Sequence, residues 1–348
     1  MQFIILLMKK ENVIFLSNAT GGIRTFQNNL IKFFLIKRVQ LILIDSENVI
    51  LNKLKKKKLF KFYKCDALYK YLKCIKIFFE ISKKNKLNEN IFIISNPTIF
   101  AIYFIFIKLI FKKSKIVFFF HSHLLNINLL QILSGLLTSF FSIFIYKSTY
   151  VSNFTKVWWN KYFPLTRFSK NYVIHNKIIL PTKAYKKNYK KLKIGFVGRL
   201  EKEKGIDKYL EITKNINSKK FEYYVFGDGS FKIDKKRFKN IKYYKWSKQD
   251  TIYRKINTLF VTSKIENCPM NVLEAKSYGI PTISISNGGI QEIIKNNNDG
   301  ILLNYNASTE KIKKKLYFLL RKYKYFEKNC KRNTDKFIVQ RYKKKYFI

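Results

Sequence analysis

The densest chemistry in the chain lies in the run TSKIENCPMNVLEAKSYGIPTISISNGGIQEII, which starts at Thr262. Glu266 closes a strand-to-helix loop, and Glu274 follows eight residues later inside a helix that Pro269 opens, so two carboxylates address one pocket from different elements. A carboxylate accepts two neighbouring hydroxyls, a capacity that suits sugar hydroxyls at Glu274 and a hexose at Glu266. Between them, Met270, Asn271 and Val272 would present backbone N–H groups at a helix start, where no intrahelical acceptor exists and a phosphate is favoured. The plainer alternative is that both acids are surface glutamates, since glutamate is mostly exposed.

A second constellation is GFVGRLEKEKGIDKYL, from Gly195 to Leu210. A strand ends at Gly198 and a helix follows Gly205, so Arg199 and Lys204 occupy the connecting loop at the carboxyl edge of a sheet. Fixed cations there would stabilise the negative charge that develops on a departing diphosphate. In a lysine-rich chain the same two residues also read as solvent-facing cations.

The elements that must hold these groups alternate. Short β-branched and aromatic runs are separated by longer segments of helical period, the pattern of parallel sheets covered on both faces. Expected strands are Asn12–Leu16, Leu41–Ile44, Asn90–Ile94, Ile116–Phe120, Thr149–Val151 and Tyr172–Ile174, then Lys193–Val197, Phe221–Phe226, Ile241–Tyr244, Leu259–Thr262, Thr282–Ser286 and Ile301–Leu303. A helix over Asp66–Ile81 is expected to place Leu68, Tyr71, Leu72, Ile75 and Phe79 on one face. Further helices are expected from Pro97 and near Asp207, Thr251, Val272, Ile290 and Lys311. The polar run from Pro181 to Lys191, PTKAYKKNYKK, has no apolar period and reads as a linker. The fold class is therefore α/β, with two tandem Rossmann-like doubly wound domains facing a cleft: residues 1–180, a linker at 181–191, residues 192–325, and a C-terminal helix in 326–348 that packs back on the N-terminal domain. Ligands of such sheets bind outside the carboxyl ends of the strands.

Together the two constellations resemble the retaining glycosyltransferases of family 4, which share the two-Rossmann arrangement called GT-B. The pattern reads Gly198, Arg199, Leu200; Lys204, Gly205; Glu266 and Glu274; Ala275; Gly279 and Pro281; Gly288 and Gly289, and it covers Lys193 to about Leu303. The resemblance implies that Arg199 and Lys204 bind the donor diphosphate, Glu274 the ribose and Glu266 the transferred sugar, with retention of anomeric configuration. It assigns residues 192–325 to the nucleotide sugar and 1–180 to the acceptor. In the N-terminal half, SNATGGIRTF is similar to the family's early glycine loop, where Gly21 and Gly22 would let the backbone approach a phosphate or the acceptor. The triplet HSH follows the apolar strand Ile116–Phe120 where the family places a histidine, which favours His121 over His123 as a hydrogen-bond partner of the sugar near the reacting carbon.

The chain also departs from the family. Its common Glu-Gly-Phe-Gly reads Glu266, Asn267, Cys268, Pro269, and its Gly-x-Gly-Pro loop reads Gly227, Asp228, Gly229, Ser230. No Asp-x-Asp occurs, so no metal site and no cofactor are expected, and basic side chains and helix ends must neutralise the diphosphate.

Composition bounds the rest. At 348 residues the chain fits two domains with their own cores. Cys65, Cys74, Cys268 and Cys330 show no metal or redox spacing, and a reduced cytoplasmic setting is expected. The run Phe3–Met8 is too short for a secretory signal, and Met8 is an alternative start. The net charge of +49 points to an anionic partner or to a coding bias toward lysine and asparagine. The charge-free stretch Leu124–Tyr146 is interrupted by polar residues and reads as a buried or membrane-lying helix rather than a span. The expected activity is transfer of a hexose from a nucleotide-diphosphate sugar to a saccharide or lipid-linked acceptor, in surface polysaccharide or lipopolysaccharide biosynthesis. An anionic membrane surface is a further expected partner, giving a cytoplasmic protein peripheral to the inner face of the membrane. The competing readings are a nucleotide-sugar epimerase of the same fold, and a basic protein binding nucleic acid or membrane. The nucleic-acid reading lacks a recognition motif, and its aromatics fall in core-like runs, so no nucleic-acid partner is expected.

Overall fold

The computed structural model of the chain describes residues 12–17, 21–36, 40–45, 60–64, 71–84, 90–101, 103–124, 128–181, 190–216 and 218–339. They divide into two compact units, one ending at His175 and the other beginning at Asn176.

The first unit is a seven-stranded sheet built from β1 (Asn12–Leu16), β2 (Gln40–Asp45), β3 (Phe60–Lys64), β4 (Asn90–Ser95), β5 (Lys115–Phe120), β6 (Lys147–Tyr150) and β7 (Asn171–Val173). The order is β3-β2-β1-β4-β5-β6-β7, with every pairing parallel. Both faces of the central strands are covered, which is why β4 is buried along its whole length and reads as one apolar run. The strand β3 was not expected. Its sequence FKFYK places exposed lysines at Lys61 and Lys64, a composition tolerated here because β3 is an edge strand.

Two helices differ from expectation. The helix expected over Asp66–Ile81 is described as Tyr71–Lys84, and it buries Cys74, Ile77, Phe78 and Ile81 while Phe79 is exposed. Its sequence carries two apolar stripes, and only packing on the sheet selects between them. Leu68 lies outside the described residues. The stretch Leu124–Tyr146 forms a helix over Leu129–Phe141 only, started by Asn128, whose side chain accepts the Gln131 N–H at 2.9 Å. That helix is not buried, as argued below. Among the described residues no helix is long and apolar enough to cross a membrane.

The second unit repeats the plan. Its strands are β8 (Leu192–Val197), β9 (Phe221–Phe226), β10 (Ile241–Tyr244), β11 (Thr258–Val261), β12 (Ile265–Glu266), β13 (Thr282–Ser284), β14 (Asn287–Gly288) and β15 (Gly300–Leu302). Six form a parallel sheet in the order β10-β9-β8-β11-β13-β15, and β12 pairs with β14 separately. All expected strands are present within two residues of their bounds. Of the expected linker, residues 182–189 lie outside the described residues. Residues 176–180, expected with the first half, belong to the second unit, where the Ile178 N–H donates to the Phe337 carbonyl at 2.8 Å. The helix Tyr323–Thr334 inserts Phe326 into the core of the same unit, and residues 340–348 of the expected C-terminal helix lie outside the described residues.

Candidate active site

In each sheet the strand order reverses once, between β1 and β4 in the first unit and between β8 and β11 in the second. Loops leaving adjacent strands in opposite directions open a crevice at that point, and ligands of doubly wound sheets bind there. The two constellations singled out by sequence are the loops after β8 and β11, so the fold brings them to one crevice.

Lys204 ends the short 3-10 turn Lys202–Lys204 after β8, and its Nζ donates to Glu266 Oε1 at 2.8 Å. The Ser263 hydroxyl donates to the same oxygen at 3.0 Å. Glu266 is buried, and its backbone is fixed by parallel pairing of Glu266 with Gly288. Gly205 makes this approach feasible. Its φ of 71° lies in the left-handed region, and a Cβ added there would stand 2.2 Å from the Thr262 carbonyl oxygen. Thr262 in turn donates its hydroxyl to the Gly205 carbonyl at 2.6 Å, locking the two loops together.

Glu274 lies on the helix Met270–Ser277 and is held separately. Gln249 Nε2 donates to its Oε1 at 2.6 Å, and the Tyr253 hydroxyl donates to its Oε2 at 2.8 Å. Burial raises the Glu274 carboxyl to about 7, against the opposing effect of those two donors. Each carboxylate oxygen keeps a second lone pair for another donor. Asn271 connects this helix to β8 by donating Nδ2 to the Val197 carbonyl at 2.7 Å, and its Oδ1 is buried without a hydrogen-bond partner among the described residues. The side chains of Met270 and Val272 are buried, so those residues offer only backbone groups at the helix start.

Arg199 is exposed and pairs with Glu203 in its own loop, not with either predicted acid. It lines an open cavity of about 790 Å³ together with Glu201, Lys202, Glu203, Ser230, Phe231 and Lys232. Lys204, Glu266 and Glu274 do not line that cavity. Glu201 joins this loop to the one after β9, accepting from the Ser230 N–H at 3.0 Å and the Ser230 hydroxyl at 2.6 Å.

The remaining predicted residues belong to the first unit. His121 directly follows β5, buried, with Nε2 hydrogen-bonded to the Ser95 hydroxyl at 2.8 Å at the end of β4. Its ring stacks on Phe119 at 4.8 Å, and Phe26 meets it edge-on at 5.0 Å. Burial lowers its pKa to about 3, so the imidazole is neutral at physiological pH. His123 is buried against Phe154 and Trp158. Gly21 and Gly22 are the first residues of the helix Gly21–Ile36, and residues 18–20 before them lie outside the described residues.

Sequence reasoning did not single out Ser263, Gln249, Tyr253 or Glu201, and it named Ser230 only as a departure from the family's loop. None stands at a spacing from the acids that marks it. The Cys268 thiol, which stands where the family has phenylalanine, is buried and pushed up to about 12, beside the Asn176 N–H that donates to its Sγ at 3.3 Å.

Residues 182–337, within the second unit, match the family model described as glycosyl transferases group 1. A glycosyltransferase of amylovoran biosynthesis from Erwinia amylovora is 31% identical over 123 residues, covering 32% of this chain and 34% of that protein. An uncharacterised 41.2 kDa protein of the cps region of Klebsiella pneumoniae is 29% identical over 119 residues, covering 33% of each chain. The chain thus aligns with about a third of the length of these curated relatives. Among solved structures, Anabaena HepE in complex with UDP-glucose superposes with a TM-score of 0.75 at 13% identity, over 94% of this chain and 96% of that one. The fold is that of the GT-B glycosyltransferases, with two parallel-sheet Rossmann-like domains.

Proposed function

We propose that the protein is a retaining glycosyltransferase that moves a hexose from a nucleotide-diphosphate sugar to a saccharide or lipid-linked acceptor, in surface polysaccharide or lipopolysaccharide assembly. The observation that carries this reading is the Lys204–Glu266 pair at the crevice between β8 and β11, beside the start of the helix that holds Glu274. The domain match, the HepE complex with UDP-glucose and the amylovoran relative support the same reading.

In this reading the donor diphosphate lies over the N-terminus of the helix Met270–Ser277, with Arg199 and Lys204 on its oxygens. Glu274 takes ribose hydroxyls, and Glu266 takes hydroxyls of the transferred sugar. The bond between the anomeric carbon and the diphosphate oxygen breaks as the acceptor oxygen bonds the same carbon from the same face. The acceptor proton passes to a donor phosphate oxygen. Lys204 and Arg199 stabilise the nucleoside diphosphate that leaves, without the reorganisation that water would require. His121, neutral, offers a hydrogen bond near the reacting carbon and does not serve as an acid near pH 7. The acceptor is met at the inner face of the cytoplasmic membrane.

The test is a thermal-shift panel of nucleotide sugars on the full chain, followed by transfer assays with the donor that stabilises it. Bound donor raises the midpoint by mass action. Stabilisation by one nucleotide sugar that is lost in Lys204→Ala agrees with the reading. No stabilisation by any of the panel, or an unchanged response in that variant, contradicts it.

A further inference from the structure

The helix Leu129–Phe141 is packed the wrong way round for a soluble surface helix. Its buried side presents Gly135, Thr138, Ser139 and Phe141, and its exposed stripe presents Leu129, Leu130, Leu133, Leu136, Leu137 and Phe140. Leu129 and Leu130 are 70% and 75% exposed. Spacings of three and four residues place the exposed set on one side. The orientation is fixed from beneath, because a Cβ at Gly135 would stand 2.3 Å from the Phe163 ring and only glycine lets the helix sit so close. Two of the helix's hydroxyls close on its own carbonyls: Thr138 Oγ1 donates to Ser134 at 2.7 Å, and Ser134 Oγ to Gln131 at 3.0 Å. The apolar stripe continues into the following turn through exposed Ile143 and Phe144, whose ring lies 5.5 Å from that of Phe140.

Cations gather past the C-terminal end of this helix. At the end of that turn, Lys147 Nζ lies 4.6 Å from the Tyr146 ring centroid and Lys115 Nζ lies 5.8 Å from it. Lys147 itself is buried, and burial first, then the nearby Lys170 and Lys115, hold its ammonium below its usual range, so several cations gather here. The turn Pro164–Phe168, which packs on the helix, adds exposed Arg167 and Phe168. No Asp or Glu occurs anywhere from residue 90 to residue 200.

We propose that this face docks on an anionic lipid bilayer, the helix Leu129–Phe141 lying in the interface with its leucines among the acyl chains while the half-buried Lys115 and the exposed Arg167 and Lys170 meet headgroup phosphates. An apolar helix face with a basic surround is the form that lies on a membrane without spanning it. A second copy of the chain is disfavoured as the occupant, because two such faces would bring like charges together with no acid between them. The proposal deepens the reading of a membrane-borne acceptor and rests on it for its purpose, but the surface lies wholly in the first unit.

The experiment is co-sedimentation of the full chain with phosphatidylcholine vesicles, with and without phosphatidylglycerol, at low and high salt. Binding to the anionic vesicles at least about tenfold tighter than to neutral ones, and weakened by salt, is expected. Leu133→Ser with Phe140→Ser should lower it at least about tenfold by removing inserted apolar surface. Arg167→Glu with Lys170→Glu should abolish the anionic preference, and because both are exposed this pair keeps the test open if the serine variant misfolds. Equal binding to both vesicle types overturns the proposal, as does wild-type binding by both variants. A salt-resistant dimer that the serine substitutions abolish, without vesicle binding, also overturns it in favour of self-association. Loss of vesicle binding with intact donor stabilisation sinks this surface and leaves the sugar-transfer reading standing.

Discussion

Lys204 Nζ and Glu266 Oε1 stand 2.8 Å apart although 62 residues of chain separate them. Strand order explains the meeting, because β8 lies beside β11 and each is followed by one of the two loops. In the proposed reading, the acid assigned to the sugar thus sits against a cation assigned to the diphosphate. This arrangement motivates the first prediction. Lys204→Ala and Arg199→Ala should each lower turnover by roughly a hundredfold, by loss of a pre-placed charge stabiliser. Steady-state kinetics with the donor found in the thermal panel checks this, and near-normal turnover in either variant removes that residue from the site.

Glu274 gives folding a pH dependence. Its carboxyl is raised from 4.5 to about 7 in the folded protein by burial. Between those two values the folded state holds a proton that the unfolded chain has lost, so this group's contribution to stability falls as pH rises through the window. The full difference is on the order of 3 kcal/mol. Urea unfolding at a series of pH values should show wild type losing ground to Glu274→Gln from about pH 4.5 to 7. A difference between the two that stays flat with pH contradicts the burial argument.

His121 acts in the opposite sense. With a pKa lowered from 6.5 to about 3, the folded state refuses a proton that the unfolded chain accepts, so stability rises with pH across that interval. The advantage of wild type over His121→Asn should therefore shrink as pH falls from about 6.5 toward 3. An NMR titration that finds the His121 ring charging near pH 6.5 would contradict the buried neutral state.

Lys276 and Asp299 form an ion pair at 2.8 Å, with both side chains buried. Asp299 also accepts from Asn333 Nδ2 at 2.7 Å and from the Lys295 N–H at 2.8 Å, which ties the helix bearing Glu274 to the C-terminal helix. Lys276→Ala leaves the acid buried without its cation and should cost about 3–5 kcal/mol. A denaturation midpoint close to wild type would mean that water or another cation reaches Asp299.

Gly205→Ala should destabilise by at least roughly 2 kcal/mol, more than the ordinary Gly-to-Ala difference, because strain at positive φ adds to a clash with backbone that has no room to move. Chemical denaturation measures this. The variant should also weaken donor stabilisation, since the loop carrying Lys204 must shift away from Thr262.

Much of this molecule is written locally in its chain. The alternation of apolar runs with helical periods placed twelve strands within two residues, because hydrophobic period is a property of neighbouring residues and survives any arrangement of the sheet. The loops bearing Arg199, Lys204, Glu266 and Glu274 were legible for the same reason, as motifs confined to one strand-to-helix connection each. The sequence did not reveal β3, whose lysines are admissible only on an edge, nor the buried stripe of the helix Tyr71–Lys84. It also left open which acid each cation would find. Arg199 took Glu203 within its own loop, Lys204 took Glu266 across the crevice, and Glu274 took Tyr253 and Gln249. Those choices are made between segments far apart in the chain, so they depend on strand order and crossover packing. The outward turn of the leucines on Leu129–Phe141 has the same origin, since a glycine pressed against Phe163 determines which side of this uncharged helix meets the core.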